Sequence, residues 1–406
     1  MIRRLVSALV VFACLGMGGA VAAQAAGEGL APGSRVSLLT VTPGEQVHAL
    51  FGHTAIRVRN AALGNDVVFN YGTFEFGPDF IPRFVYGELD YYLSLASYED
   101  AMAMWRWEQR GVSEQALALS QQQAEAVLRF LLHNAQPEQR VYRYDFLLDN
   151  CSTRVGDAFV SALGAELELP GADSGPRSFR EMLDPYVAGA PFLHLGIDLL
   201  MGLPVDREAT PQEQLFLPDD LALAFDHATL IDGDGVARPL VSGTRELVGR
   251  AAPHLPTPAP RWDVIAAWAL LAVGIPLGRR RAWSGLLLLL LGLAGCFIAL
   301  LWAVTLHHVT DQNLNLLWAW PTHVVAGVAV LRGRGSRGLE RYLFAAGVVS
   351  LLVALVMPFL PQRLPGAALP LALATAFACW RQLRPGVGTV ARGAAAASPT
   401  DPEEST

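Results

Sequence analysis

Three short segments carry side chains suited to acyl chemistry. Cys151, in Asp149-Asn150-Cys151-Ser152-Thr153, precedes a stretch in which Val155, Phe159 and Val160 face one way at helical spacing. The sulfur is therefore predicted at a helix N-terminus, where the macrodipole and free backbone N–H groups favour a thiolate. His53 follows Phe51-Gly52 and opens the β-rich run from Thr54 to Val58, a strand-edge position from which an imidazole can face a cleft and serve as a base. Asn70 lies on the next predicted strand. With a turn near Gly64-Asn65-Asp66 the two strands pair as a hairpin, and Asn70 would orient the ring by accepting from one nitrogen. Tyr71 and Asp149 are the alternative orienters, and Asn150, Ser152 and Arg154 flank the nucleophile as candidates for holding substrate or an oxyanion. Each residue also has an ordinary reading: a free cysteine is often a small buried hydrophobe, a lone histidine a core or surface residue, and Asn70 a strand end.

Cysteine usage narrows the choice. Of four cysteines, Cys14 falls in an N-terminal apolar stretch and Cys296 and Cys379 in later ones, so Cys151 is alone in the polar part of the chain, without a disulfide partner. Arg3 and Arg4, the apolar run from Leu5 to Met17 and the small residues ending Ala23-Gln24-Ala25 have the order of a secretory signal cleaved after Ala25, a retained signal anchor being the alternative. Export puts residues 26–252 in an oxidising space, a periplasm.

The composition points to lipid. Hydrophobic residues make up 52% of the 406 and charged residues 17%, below the roughly 25% charged residues of an ordinary soluble domain. Five apolar spans can be drawn: Trp262 to Gly278, Trp283 to Leu306, Leu314 to Leu331, Tyr342 to Leu360, and Gly366 to Trp380. With the polar domain outside, the inward exits carry Arg279-Arg280-Arg281, then Arg332, Arg334 and Arg337, then Arg381 and Arg384, as the positive-inside rule requires. The loop His307 to Asn315 then lies on the side of the exported domain. Residues 253–261 alternate Pro with small residues as an extended linker, 262–381 form the membrane domain, and 382–406 are a tail lacking packing residues. A net charge of -7 and the absence of a basic cluster argue against nucleic acid.

Strand-like runs at Ser34 to Val41, Thr54 to Val58, Val67 to Tyr71 (continuing in aromatic alternation to Phe76) and Tyr142 to Leu148 mix with helical periodicity from Ser97 and from Ser120 to His133, Ser120 and Gln123 forming a capping box. The expected class is α+β, followed by an all-α membrane domain. Pro170 to Leu255 is assigned only short helices near Phe179 to Leu183 and Gln212 to Phe216.

The order His first, Cys second resembles the permuted papain-like thiol enzymes of the lecithin–retinol acyltransferase superfamily. Phe51-Gly52-His53-Thr54-Ala55, Asn70-Tyr71-Gly72-Thr73-Phe74-Glu75-Phe76 and Asp149-Asn150-Cys151-Ser152-Thr153-Arg154 together look more closely like the periplasmic domain of the Lnb-type lipoprotein N-acyltransferases. Gly196-Ile197-Asp198, Asp206, Phe216-Leu217-Pro218 and, in the spans, Asn313 to Trp318 with Pro321 are weaker matches. The resemblance implies a permuted papain-like domain with Cys151 and His53 as the catalytic pair. It also implies a phospholipid acyl donor, a lipoprotein N-terminal diacylglyceryl-cysteine as amine acceptor, and residence in the bacterial inner membrane. No cofactor is implied.

Other constellations are weaker. His307, His308 and Asp311 could ligate a metal but more often contact headgroups or the adjacent domain. Asp232-Gly233-Asp234-Gly235 imitates a calcium loop but has Gly243 at the twelfth position, so a hairpin turn is preferred. No H-E-x-x-H, P-loop or G-x-S-x-G occurs. Two rivals to acyl transfer remain at this stage: a membrane-anchored thiol amidase or peptidase of the cell envelope, and a non-catalytic receptor on a decayed enzyme fold.

Overall fold

The computed structural model of the protein describes residues 30–60, 64–75, 77–88, 90–172, 175–231, 235–249 and 255–383. The predicted signal with Cys14, Phe76, the acidic pair of the calcium-like loop, residues 253–254 of the linker and the tail from 384 lie outside the described residues.

The first half alternates strands with helices: Arg35–Val41 (β1), His53–Arg59 (β2), Asp66–Thr73 (β3), Phe80–Tyr86 (α1), Asp90–Ser97 (β4), Tyr98–Trp107 (α2) and Val112–Leu117 (β5). Gln121–Asn134 (α3), Val141–Arg143 (β6), Cys151–Leu163 (α4), Leu167–Glu168 (β7), Phe179–Val187 (α5) and Pro191–Leu200 (α6) follow. Pro218–His227 (α7), Thr229–Ile231 (β8), Ala237–Pro239 (β9) and Val241–Val248 (β10) complete the polar region. Seven strands form one antiparallel sheet in the order β10-β5-β1-β2-β3-β4-β6, and β7, β8 and β9 form a second.

Strand alternation gives the large sheet two apolar faces. Leu38, Ile56, Val58, Val67 and Phe69 pack with Val127 of α3, Val155 and Phe159 of α4 and Phe225 of α7. Leu39, Val41, Ala55 and Val68 pack with Ala101, Met102 and Trp105 of α2 on the other face. Within the second face Arg57 bonds Asp66 at 2.5 Å and Glu114 at 2.9 Å, while Arg245 of β10 reaches the other Glu114 oxygen at 2.6 Å. Buried charges persist only when paired in this way. At the start of α3 Ser120 and Gln123 form the expected capping box.

Three local expectations are corrected. Tyr142 to Leu148 is not one strand: β6 ends at Arg143, and the Asp145 carboxylate accepts from the Leu147 and Leu148 N–H groups at 2.9 Å each, folding the chain into a turn. The aromatic alternation after Thr73 leaves the strand, because β3 breaks register against β4 beyond Asn70. Pro170 to Leu255 contains α5, α6, α7 and β10, which hydrogen-bonds to β5 as the edge strand of the large sheet.

By internal contacts the chain divides into two compact units. The first runs to His194 and takes in Pro204–Ala259 and Val304–Val309; the second holds Leu195–Leu203, Pro260–Ala303 and the chain from Thr310. The second unit contains Trp262–Leu277 (α8), Arg281–Val304 (α9, apart from its last residue), His323–Leu331 (α10), Arg337–Val356 (α11) and Ala368–Leu383 (α12). Among the described residues two helices are long and apolar enough on their own to cross a bilayer, Arg281–Val304 and Arg337–Phe359.

The third expected span is not one helix. Leu314–Leu317 is a 3-10 turn and α10 has nine residues, because Pro321 has no N–H and forces the preceding residue from helical geometry. The asparagines and Trp318 of this irregular stretch are buried, and the asparagine side chains are engaged. Asn313 Nδ2 donates to the carbonyls of Leu199 and Leu200 at 2.8 and 3.1 Å, and Asn315 Nδ2 to those of Asp198 and Leu199 at 3.1 and 3.2 Å. Gln362 accepts from Leu314 N at 2.6 Å and donates to the Met201 carbonyl at 3.0 Å. The C-terminal carbonyls of α6 thus find side-chain donors in place of water, the condition for broken helices at membrane depth.

On α9, Gly292 and Gly295 sit where any side chain would collide with the Val324 N and the Ala319 carbonyl. Gly295→Leu is expected to lower thermal stability in detergent by the ~1–3 kcal/mol of an overpacked contact or more, whereas Leu293→Ala, at a position 51% exposed, should change it by less than ~0.5 kcal/mol. Equal effects in a melting experiment would show that α9 buries a different face.

Candidate active site

The three predicted segments are joined by contacts of His53 with Asn70, of Thr54 with Ser152, and of Gly72 with Cys151. His53 is the first residue of β2, and strand alternation turns it with Ala55 and Arg57 toward α2, where its ring meets that of fully buried Trp105 at 6.4 Å. Asn70 of β3 points to the same face, and its Oδ1 lies 3.3 Å from His53 Nε2. A carboxamide oxygen only accepts, so Nε2 carries the proton and Nδ1 keeps its lone pair. Thr54, the next residue, faces the opposite side and meets the Ser152 hydroxyl at 3.1 Å.

Cys151 opens α4. Asn150 caps the helix: its Oδ1 accepts from Ser152 N at 2.8 Å and Thr153 N at 3.1 Å, and its Nδ2 donates to the carbonyls of Phe146 and Phe216 at 2.9 Å each. The cysteine is brought close to β3 through Gly72. This residue has φ +87°, and a methyl group added to it would lie 3.6 Å from Cys151 Cβ. Ser152 and Asn150 are buried and Cys151 partly so.

The electrostatics set a neutral resting state. Burial pushes His53 down to about 4; the nearby Arg110 guanidinium acts in the same direction and the Asn70 bond opposes. Burial pushes the Cys151 thiol up, against the Thr54 N–H, the Ser152 hydroxyl and N–H, and Arg110, all of which favour the thiolate. The depression expected from the helix N-terminus is therefore outweighed by desolvation. At neutral pH the site holds a thiol and an unprotonated imidazole instead of an ion pair.

Several expected roles are corrected. Tyr71 does not orient His53: its hydroxyl accepts from Asn134 Nδ2 at 2.9 Å in the core. Asp149 is held by Arg154, whose Nε and Nη2 both donate to the carboxylate, the second at 2.6 Å. Asn150 is occupied by its cap, and that cap takes the Ser152 and Thr153 N–H groups expected as oxyanion donors. The metal reading of the His307 loop is replaced by packing. His308 Nδ1 bonds Asp145 at 2.6 Å and His307 Nε2 bonds the Phe84 carbonyl at 2.8 Å, in the same unit as Cys151. One residue at the site escaped the sequence reading, Arg110, whereas Trp105 is the core residue its helical spacing predicts. Arg110 is 6% exposed and donates to the Thr42 carbonyl at 2.8 Å; no local pattern marks it, since long-range strand order brings it to the site.

A family model described as the Lnb N-terminal periplasmic domain matches residues 28–184, and one described as the Lnb transmembrane domain matches 265–383. The chain belongs to the Lnb family. It is a membrane protein with a periplasmic part, and the periplasmic match includes His53, Asn70 and Cys151. Neither curated proteins nor solved structures gave a match.

Two outcomes follow for this Lnb site. Labelling of Cys151 by iodoacetamide, read by peptide mapping, should have its midpoint above the ~8.5 of a free thiol; a midpoint below 7 would mean a resting ion pair. His53, with a folded value of about 4 against an ordinary 6.5, contributes stability that is complete above 6.5 and lost as pH falls toward 4, by up to ~3 kcal/mol. The melting temperature should therefore drop across that window, and less so in His53→Gln.

Proposed function

We propose that the protein is a membrane-bound lipoprotein N-acyltransferase working through a Cys151 thioester. The observation that carries this reading is that, within the domain matched as periplasmic, Thr54 and Ser152, the chain neighbours of His53 and Cys151, meet at 3.1 Å while Asn70 lies 3.3 Å from the His53 ring. In this reading residues 26–252 are a permuted papain-like thiol domain exported behind a signal ending at Ala25. Residues 253–261 link it to five spans in the bacterial inner membrane, and the tail from 382 is cytoplasmic.

His53 Nδ1 takes the Cys151 proton as the sulfur attacks the ester carbonyl of a phospholipid. The C–S bond forms and the carbonyl electron pair moves to oxygen; on collapse the C–O bond breaks and the lysophospholipid oxygen takes the proton from His53. The amine of a lipoprotein N-terminal diacylglyceryl-cysteine then attacks the thioester, giving the amide and returning the thiol. A neutral imidazole at physiological pH, as burial dictates here, is the form that can act as general base. Both substrates are lipids whose chains stay in the bilayer, which accounts for a thiol enzyme carrying a membrane domain.

Intact mass of detergent-purified protein after exposure to phospholipid tests the reading. Wild type should gain a hydroxylamine-labile acyl group that is missing in Cys151→Ser and His53→Ala, while Asn70→Ala should acylate roughly 10-fold or more slowly through loss of the oriented ring. Unmodified wild-type protein together with unchanged phospholipid would reject acyl transfer in favour of an envelope thiol hydrolase or a receptor.

A further inference from the structure

The capping of α4 leaves a chemical need unmet. Attack on an acyl carbonyl puts negative charge on its oxygen, and the N–H groups of Ser152 and Thr153, the obvious donors, are held by Asn150. A different donor stands at the same place. Tyr142, on the edge strand β6, is 8% exposed; the Gly72 N–H faces its buried oxygen, and no acceptor for its proton stands within hydrogen-bond geometry among the described residues. Tyr71 and Tyr186 are similarly buried, and both have partners, Asn134 at 2.9 Å and Asp219 at 2.7 Å.

The Tyr142 ring is held from two sides. The Arg154 guanidinium, itself fixed by Asp149, lies 4.1 Å from the ring centroid, and the Tyr71 ring meets it edge-on at 6.3 Å. The hydroxyl is therefore aimed by packing. The bare Cα of Gly72 marks where it points: a methyl built there would lie 3.9 Å from the Tyr142 oxygen, 3.6 Å from Cys151 Cβ and 4.0 Å from the Tyr144 ring. Burial first and charge on Cys151 second oppose ionisation of Tyr142 and outweigh the Arg154 guanidinium and the Gly72 N–H, so it keeps its proton as a donor. The thiolate already has its donors in Thr54 and Ser152, so the acceptor for Tyr142 must arrive with the substrate.

We propose that the Tyr142 hydroxyl donates the hydrogen bond that stabilises the oxyanion formed when an acyl carbonyl is attacked by Cys151. The assignment rests on the reading of Cys151 as nucleophile. The thiolate forms the C–S bond, the carbonyl π pair moves to oxygen, and the oxygen accepts from Tyr142 until collapse expels the alcohol.

The test uses full-length protein in detergent, wild type beside Tyr142→Phe, with two reagents for the same sulfur. p-Nitrophenyl butyrate acylates through an oxyanion; iodoacetamide alkylates by displacement at a methylene and forms none. The variant should lose about 100-fold in nitrophenolate burst rate, keep its Cys151 alkylation rate within twofold, and melt close to the wild-type temperature, since the hydroxyl proton has no folded-state acceptor to lose. An acylation rate within threefold of wild type overturns the proposal. So does a parallel fall in acylation and alkylation, or a lowered melting temperature or failure to fold, any of which makes the hydroxyl structural. Wild-type protein that alkylates but takes no acyl group from the ester overturns the nucleophile reading and this one together. Acylation by the ester and not by phospholipid rejects only the lipid donor and leaves the Tyr142 comparison decisive.

Discussion

The site depends first on one buried side chain that is not itself chemical. Asn150, 4% exposed, makes four hydrogen bonds, two to the first turn of α4 and two to the carbonyls of Phe146 and Phe216. It therefore fixes where α4 begins, and ties that beginning to the turn before it and to the segment entering α7. Since Cys151 is the next residue, its sulfur inherits this position. The cost of the arrangement is that the helix cannot also offer those N–H groups to a substrate. No other residue matches the geometry as well: aspartate would accept the two N–H groups but could not donate to the two carbonyls.

The second constraint is desolvation. His53 and Cys151 both lie where the charged form is disfavoured, and both shift toward neutrality. Arg110 pulls the cysteine toward its thiolate while pushing the histidine away from imidazolium, so it makes the sulfur more acidic and keeps the base free. The guanidinium reaches this position only because β5 pairs with β1, which pairs in turn with β2, placing the segment after α2 beside His53.

Legibility in the sequence follows the range of the interaction. His53, Asn70 and Cys151 were readable because strand edges, a turn near Gly64 and a capping segment are local signals. The Asn70–His53 bond lies on the hairpin that a turn near Gly64 predicts, while its register, Ile56 opposite Phe69, had no sequence signal. Arg110 and Tyr142 were not readable, since each acts through strands distant in sequence. β10 escaped for another reason: Val-Ser-Gly-Thr-Arg-Glu-Leu-Val is polar and mostly exposed, and becomes a strand by pairing with β5 and through Arg245 reaching Glu114. The third span misled because apolar composition does not register that Pro321 and two asparagines interrupt it. Those asparagines were noted as part of a motif, and their work is to satisfy carbonyls of α6.

A neutral thiol also suits the compartment. Oxidation of cysteine follows thiolate character and exposure, and an unpaired cysteine on the periplasmic side meets an oxidising environment throughout its life. A resting thiolate–imidazolium pair would react with oxidants as readily as with esters. With the thiol value raised by burial and the imidazole unprotonated, the proposed acyl transfer has the proton move to His53 as the sulfur attacks. In the proposed reaction the barrier this adds to thiolate formation is offset by interactions that strengthen in the transition state. Under the proposal for Tyr142, its buried hydroxyl proton supplies that stabilisation in the same desolvated site that protects the cysteine.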